Sequence, residues 1–117
     1  MKIYPFGPQS GREIKEYGSA QALLTKIAHL DALATVSCMY MGEKGLVGDH
    51  QATSPQLFLV MHGEGWVRGE SEEKIPIRAG LAACWEKDEP HAAGTESGMM
   101  VMVIEADSIR PIGRPIF

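Results

Sequence analysis

The chain's hydrophobic pattern is clearest between Gln56 and Met61, a continuous run of strand length (Gln-Leu-Phe-Leu-Val-Met). Thr53-Ser54-Pro55 marks a turn before it and His62-Gly63-Glu64-Gly65 stops it. A run without alternation predicts a strand buried on both faces. Upstream, Ala34 to Met41 alternates, with Val36, Cys38 and Tyr40 on one face and Thr35, Ser37 and Met39 on the other. Gly42 to Gly45 closes that strand, and a short strand carrying His50 follows. Downstream, Gly63-Glu64-Gly65 turns the chain into Trp66-Val67-Arg68. Glu70 to Glu73 forms a solvated hairpin tip, and Lys74 to Ile77 returns with Pro76 placed where no ladder donor is needed. Arg78-Ala79-Gly80 turns into Leu81 to Trp85, and a charged loop (Glu86 to Glu89) leads to Pro90-His91. Gly94 to Gly98 turns into an apolar strand, Met99 to Ile104.

The ends are less regular. Met1 to Phe6 alternates weakly before the breaker pair Gly7-Pro8, and Arg12 to Tyr17 suits an edge strand. Between Ser19 and Leu30 two readings compete. Leu23, Ile27 and Leu30 have helical spacing behind a Ser19 N-cap, whereas Leu24 to Leu30 alternates in part. The tail, Asp107 to Phe117, is broken by Pro and Gly and predicts surface chain without regular structure. Short strands with turn signals roughly every eight to twelve residues indicate an all-β sandwich or barrel. One domain over residues 1–117 is the natural division, with its barrel core over residues 34–106.

Composition narrows the function more than the fold. A formal charge of −4, with Lys and Arg scattered, argues against a nucleic-acid partner, whose phosphates need a basic face. No apolar run reaches membrane-span length and no signal-peptide layout opens the chain, so the expected location is the cytoplasm. Cys38 and Cys84 lie in apolar segments and read as reduced core residues, and the methionines read as core filler.

The chemistry lies with two histidines on separate strands. Side chains two apart share a strand face, so His50 groups with Ala52, and Gln56 with Phe58, Val60 and His62. If that face lines the barrel, His50, Gln56 and His91 converge against Phe58. Tyr40, Cys38 and Trp85 complete a largely apolar wall, the usual make-up of a small-molecule site. Such polar groups orient a ligand bearing a carbonyl, carboxylate or hydroxyl.

Two motifs here resemble those of the cupin superfamily. The first comprises Gly45, His50, Ala52, Gln56 and Gly63; the second comprises Gly80, Pro90, His91 and Thr95. Together with their connecting hairpin they cover about half the chain. The resemblance implies a double-stranded β-helix, or jelly-roll barrel, in which Ser19 to Leu30 is strand, and pairing into a homodimer. It also implies one divalent transition metal (zinc, manganese, iron or nickel) held by His50, Gln56 and His91. Ala52 stands where the motif has a second histidine and Gln56 where it has a glutamate, so this ligand set is incomplete.

Three functions fit these residues. The first is a small-molecule-binding module without catalysis, which the depleted ligand set favours. The second is a metal-dependent isomerase or oxygenase acting on a small polar metabolite. The third is a metal-free acid–base enzyme such as an epimerase, using His91 with His50 or Tyr40.

Overall fold

Ten strands joined by tight turns carry the fold, and the computed structural model describes all of residues 1–117. They are β1 (Lys2–Pro5), β2 (Arg12–Glu13), β3 (Leu23–Leu24), β4 (Ala28–Met41) and β5 (Leu46–Gln51). Then follow β6 (Gln56–Arg68), β7 (Ile75–Arg78), β8 (Leu81–Trp85), β9 (Pro90–Gly94) and β10 (Met99–Pro111). All pairings are antiparallel, and β6 belongs to two arms of one folded sheet. Its first half lies between β8 and β10, giving the order β1-β8-β6-β10-β4. Its second half, from Glu64, pairs with β7 and β9, and β5 is added beyond β9.

The sequence reading stopped this strand at Met61, but β6 runs unbroken to Arg68. Two glycines make that possible. Gly63 sits at φ +85°, where any Cβ would run into the Gly98 carbonyl, and the register against β10 slips between Val60 and His62. A Cβ at Gly65 would run into the Gly94 carbonyl of β9. The bulge and the close approach bend one strand from the first arm into the second.

The core fills the space between the arms. Phe58, Val60, Val67, Ile77, Ala83, Trp85, Val101 and Val103 are all buried there. Each large member contributes about 1.5–3 kcal/mol by leaving water. The back of the first arm carries a second cluster, in which Leu57, Leu59 and Ala82 meet Phe6, Ile27, Met102 and Ile104. Both parities of Leu57–Val60 are thus covered, which explains the run without alternation.

Several expectations at the ends and edges are corrected. Between Ser19 and Leu30 the strand reading that the resemblance implied prevails over the helical spacing: the segment holds β3 and the start of β4. Of the helically spaced residues only Ile27 packs on a cluster, while Leu23 and Leu30 are exposed, so a helix would have had no surface to bury. Arg12 to Tyr17 yields two strand residues and then a 3₁₀ turn at Glu16–Gly18. The tail is more regular than its Pro and Gly content suggests. Strand β10 continues to Pro111, pairing Ser108–Pro111 with Ala28–Asp31, and the Ile116 N–H donates to the Ile3 carbonyl at 2.8 Å. Cys38 is exposed, as is Met61; Cys84 is half-buried, and burial pushes its thiol up to about 11. No helix is long and apolar enough to cross a membrane.

Candidate functional site

Strand β5 supplies His50 through a local irregularity. Val47 pairs with Ala93 and His50 with His91, so two β5 residues, Gly48 and Asp49, oppose Ala92 alone. Simple alternation would send Val47 and His50 to opposite faces. The bulge turns both toward the space between the arms. Its backbone also holds the ring, because the Gly48 carbonyl lies 2.7 Å from His50 Nδ1. Arg68 reaches across β9 to Asp49 at 3.0 Å, a half-exposed ion pair worth about 1 kcal/mol, and ties the bulge to β6.

His91 is buried where His50 is exposed, and three rings stack along this wall. The His50 and His91 centroids are 4.3 Å apart, and those of His91 and Trp85 are 4.5 Å apart. Phe58 meets Trp85 edge-on at 5.5 Å. Trp85 is fully buried and its indole N–H donates to the Arg68 carbonyl at 3.2 Å, which fixes the stack. Burial pulls the His91 imidazole below its ordinary value. The Glu89 carbonyl at 3.3 Å opposes that shift, and His50 reinforces it.

These rings form one wall of a cavity of about 350 Å³ between the arms. Ser37, Met39, Phe58, Val103, Gln56 and Glu105 supply most of the rest of its polar and apolar lining. A wider, charged depression of about 750 Å³ lies outside the barrel along the Glu86–Pro90 loop. The inner cavity is the better site, because the two imidazoles, an amide and a carboxylate meet there on a rigid apolar frame.

The structure therefore brings together His50, Gln56, Phe58, Trp85 and His91. Tyr40 is a correction: it is 78% exposed and off the cavity, because Ser37 and Met39 are the β4 residues that face Val103 and Val101 across the ladder. Glu105 is the residue that sequence reasoning missed. It pairs with Gln56 in register and accepts a hydrogen bond from Gln56 Nε2 at 3.4 Å. Alternation from Val101 and Val103 points to it, one residue past the expected strand end at Ile104. Thr95, in the second motif, is structural: its hydroxyl donates to the Glu64 carbonyl at 2.6 Å and accepts from the Gly98 N–H at 3.0 Å.

A divalent metal does not fit this donor set. No three His, Cys, Asp or Glu side chains converge to hold an ion. Ala52 is buried and lies off the cavity, so nothing replaces the motif's second histidine. Two imidazoles and an amide fall short of the three firm protein ligands of a catalytic zinc site, and Glu105, though it lines the same cavity, does not converge with the two histidines to supply the third.

No protein-family model and no curated protein matches the chain. Solved structures do. A cupin superfamily protein from Desulfitobacterium hafniense DCB-2 superposes with a TM-score of 0.60 at 12% identity, over 92% of this chain and 100% of that one. An RmlC-like cupin from Shewanella frigidimarina gives 0.60 at 15% identity, over 64% and 67%. KdgF from a Halomonas species gives 0.57 at 21% identity, over 75% and 77%. Of several other similar structures the chain spans only 65% of the length. At these identities the likeness is one of fold, and it agrees with the strand order and the shared β6: this chain has the all-β cupin jelly-roll fold.

Proposed function

We propose that the chain is a small-molecule-binding protein whose ligand lies in the cavity between the arms. The ligand lies over the frame that Phe58 and Trp85 support and reaches His50, Gln56 and His91. One observation carries this reading: the Trp85–His91–His50 stack, with centroid spacings of 4.5 and 4.3 Å, presents two imidazoles on the wall of an otherwise largely apolar cavity. The rival functions lack a comparable support. Metal-dependent isomerisation or oxygenation needs a ligand set that these residues do not make. An epimerase of the two-base kind needs its bases on opposite sides of a carbon, and rings 4.3 Å apart leave no room for one.

The test is thermal unfolding with a panel of small polar metabolites, in the wild type and in a cavity-filling Ser37→Phe variant. A true ligand at about a hundred times its Kd adds about 2.7 kcal/mol of stability. We expect at least one compound to raise the wild-type Tm and to lose that effect in Ser37→Phe. Equal responses of both proteins to every compound would sink the reading. Stoichiometric metal in untagged protein, lost in both His50→Ala and His91→Ala, would replace it with the metal-dependent alternative.

A further inference from the structure

The polar atoms that meet in the cavity are mostly hydrogen-bond acceptors. The Nδ1 atoms of His50 and His91 lie 2.7 and 3.3 Å from the Gly48 and Glu89 carbonyl oxygens. A carbonyl can only accept, so each Nδ1 carries the hydrogen. Each ring in its neutral form is then left with a bare Nε2. The Gln56 amide nitrogen donates to Glu105 Oε1 at 3.4 Å, which leaves the amide oxygen and the second carboxylate oxygen without that partner. The indole N–H of Trp85 is already engaged by the Arg68 carbonyl.

Donors are few and uncharged. No Lys or Arg lines the cavity, whose remaining side-chain donors are the Ser37 hydroxyl and the second hydrogen of the Gln56 amide. A carboxylate or phosphate entering here would face Glu105 without a cationic partner, and juxtaposed like charges cost several kcal/mol. Hydroxyl or ammonium hydrogens find the two Nε2 atoms, the amide oxygen and the carboxylate, the last of these giving a charge-assisted bond. A volume of about 350 Å³ stands at the small end of ligand pockets, which run roughly 300–1,000 Å³.

Resting on the ligand-binding reading above, we infer that the cavity selects small ligands that bring hydrogen-bond donors and no negative charge, polyols and amino alcohols, and that Glu105 enforces this selection. Glu105 acts as a specificity residue, facing the ligand from β10 and orienting Gln56 beside it. This narrows the ligand chemistry that the sequence alone left open, because carboxylates are excluded.

The experiment titrates the protein with meso-erythritol, serinol and meso-tartrate, reading the ring C–H resonances of His50 and His91 by NMR at about pH 8, above the ordinary imidazole range. Tartrate keeps erythritol's carbon chain and inner hydroxyls but ends in carboxylates. Erythritol and serinol should shift both rings, with tartrate weaker by about tenfold or more from the like-charge contact. In Glu105→Gln the gap between tartrate and erythritol should close to within about threefold once that contact is gone. Tartrate binding as tightly as erythritol to the wild type would overturn the selectivity while leaving the cavity a binding site. An unchanged preference in Glu105→Gln would overturn the role of Glu105. If no probe of either kind moves the His50 and His91 resonances, the binding reading fails and this inference fails with it.

Discussion

At the scale of single residues, His91 couples the site to stability. It is buried among Trp85, His50 and the Glu89 carbonyl, with Glu89 and Asp49 the nearby acidic side chains, and its imidazole is pulled below the ordinary value mainly by burial. A histidine with a lowered folded value binds fewer protons in the native state than in the unfolded one across the intervening window. Its contribution is therefore complete above the unfolded value, near 6.5, and is lost as pH falls from there through the folded value. We expect the wild-type Tm to drop between about pH 7.5 and pH 5.5, and His91→Phe, which keeps a ring against Trp85, to drop less over the same range. Equal acid limbs in the two proteins would show that His91 does not set this dependence. The same residue shows what was legible beforehand. His50, Gln56, Phe58, Trp85 and His91 were identified because alternation and motif spacing are properties of the chain itself. Tyr40 was expected with them and lies off the cavity, because β4 is exposed on both faces along most of its length, so the more apolar face of that strand need not be its inner one.

The element that decides the architecture is β6, and its tightest point is Gly65. Val67 and Trp66 pair with Ala93 and Gly94 of β9 immediately after it, and a Cβ at Gly65 would run into the Gly94 carbonyl, which is backbone and can yield only by moving a strand. Gly65→Ala should therefore destabilise by about 1–3 kcal/mol, as overpacking does. Gly48→Ala meets nothing within 4 Å and should stay within about 0.5 kcal/mol of wild type. Chemical denaturation of the two variants checks this. A Gly65→Ala midpoint equal to that of Gly48→Ala would mean that the arms part easily at this crossing. The sequence marked Gly63 to Gly65 as punctuation but read it as the end of a strand. Local propensity cannot distinguish a turn from a bend within a strand, since both call for glycine. What separates them is the partner strand, β9, which the local pattern does not reveal. The helical spacing of Leu23, Ile27 and Leu30 misled for the same reason, as only Ile27 found a surface to cover.

At the scale of the whole molecule, the barrel leaves one long edge bare. Turn spacing made the jelly roll legible, but which strand would end the first arm depends on the whole pairing order. That strand is β4, 14 residues long and hydrogen-bonded only to β10. Free edges are normally blunted by brevity, Pro or Lys. Strand β4 has none of these; its one device is a bulge where Ala32 and Leu33 oppose Asp107, and beyond it the strand exposes Val36 (58%) and Tyr40 (78%). Antiparallel pairing about a two-fold axis sets each strand against its own copy, so a charge close to the axis meets a like charge. From Ala32 to Met41 there is no charge to repel, and Asp31, just before, lies 3.9 Å from Arg110 of its own chain. We propose that a second copy of this chain pairs with the edge, the homodimer that the cupin resemblance implied. Light scattering on the eluting peak should give twice the 12.7 kDa chain mass, and Tm should rise with protein concentration. Val36→Lys adds one positive charge to each strand in the middle of its uncharged stretch and should shift the population to monomer. A surface change alone alters monomer stability by no more than about 0.5 kcal/mol, so this shift would report on the contact itself. A wild-type mass of one chain at every concentration would remove the dimer, and a dimer that survives Val36→Lys would move the contact away from β4.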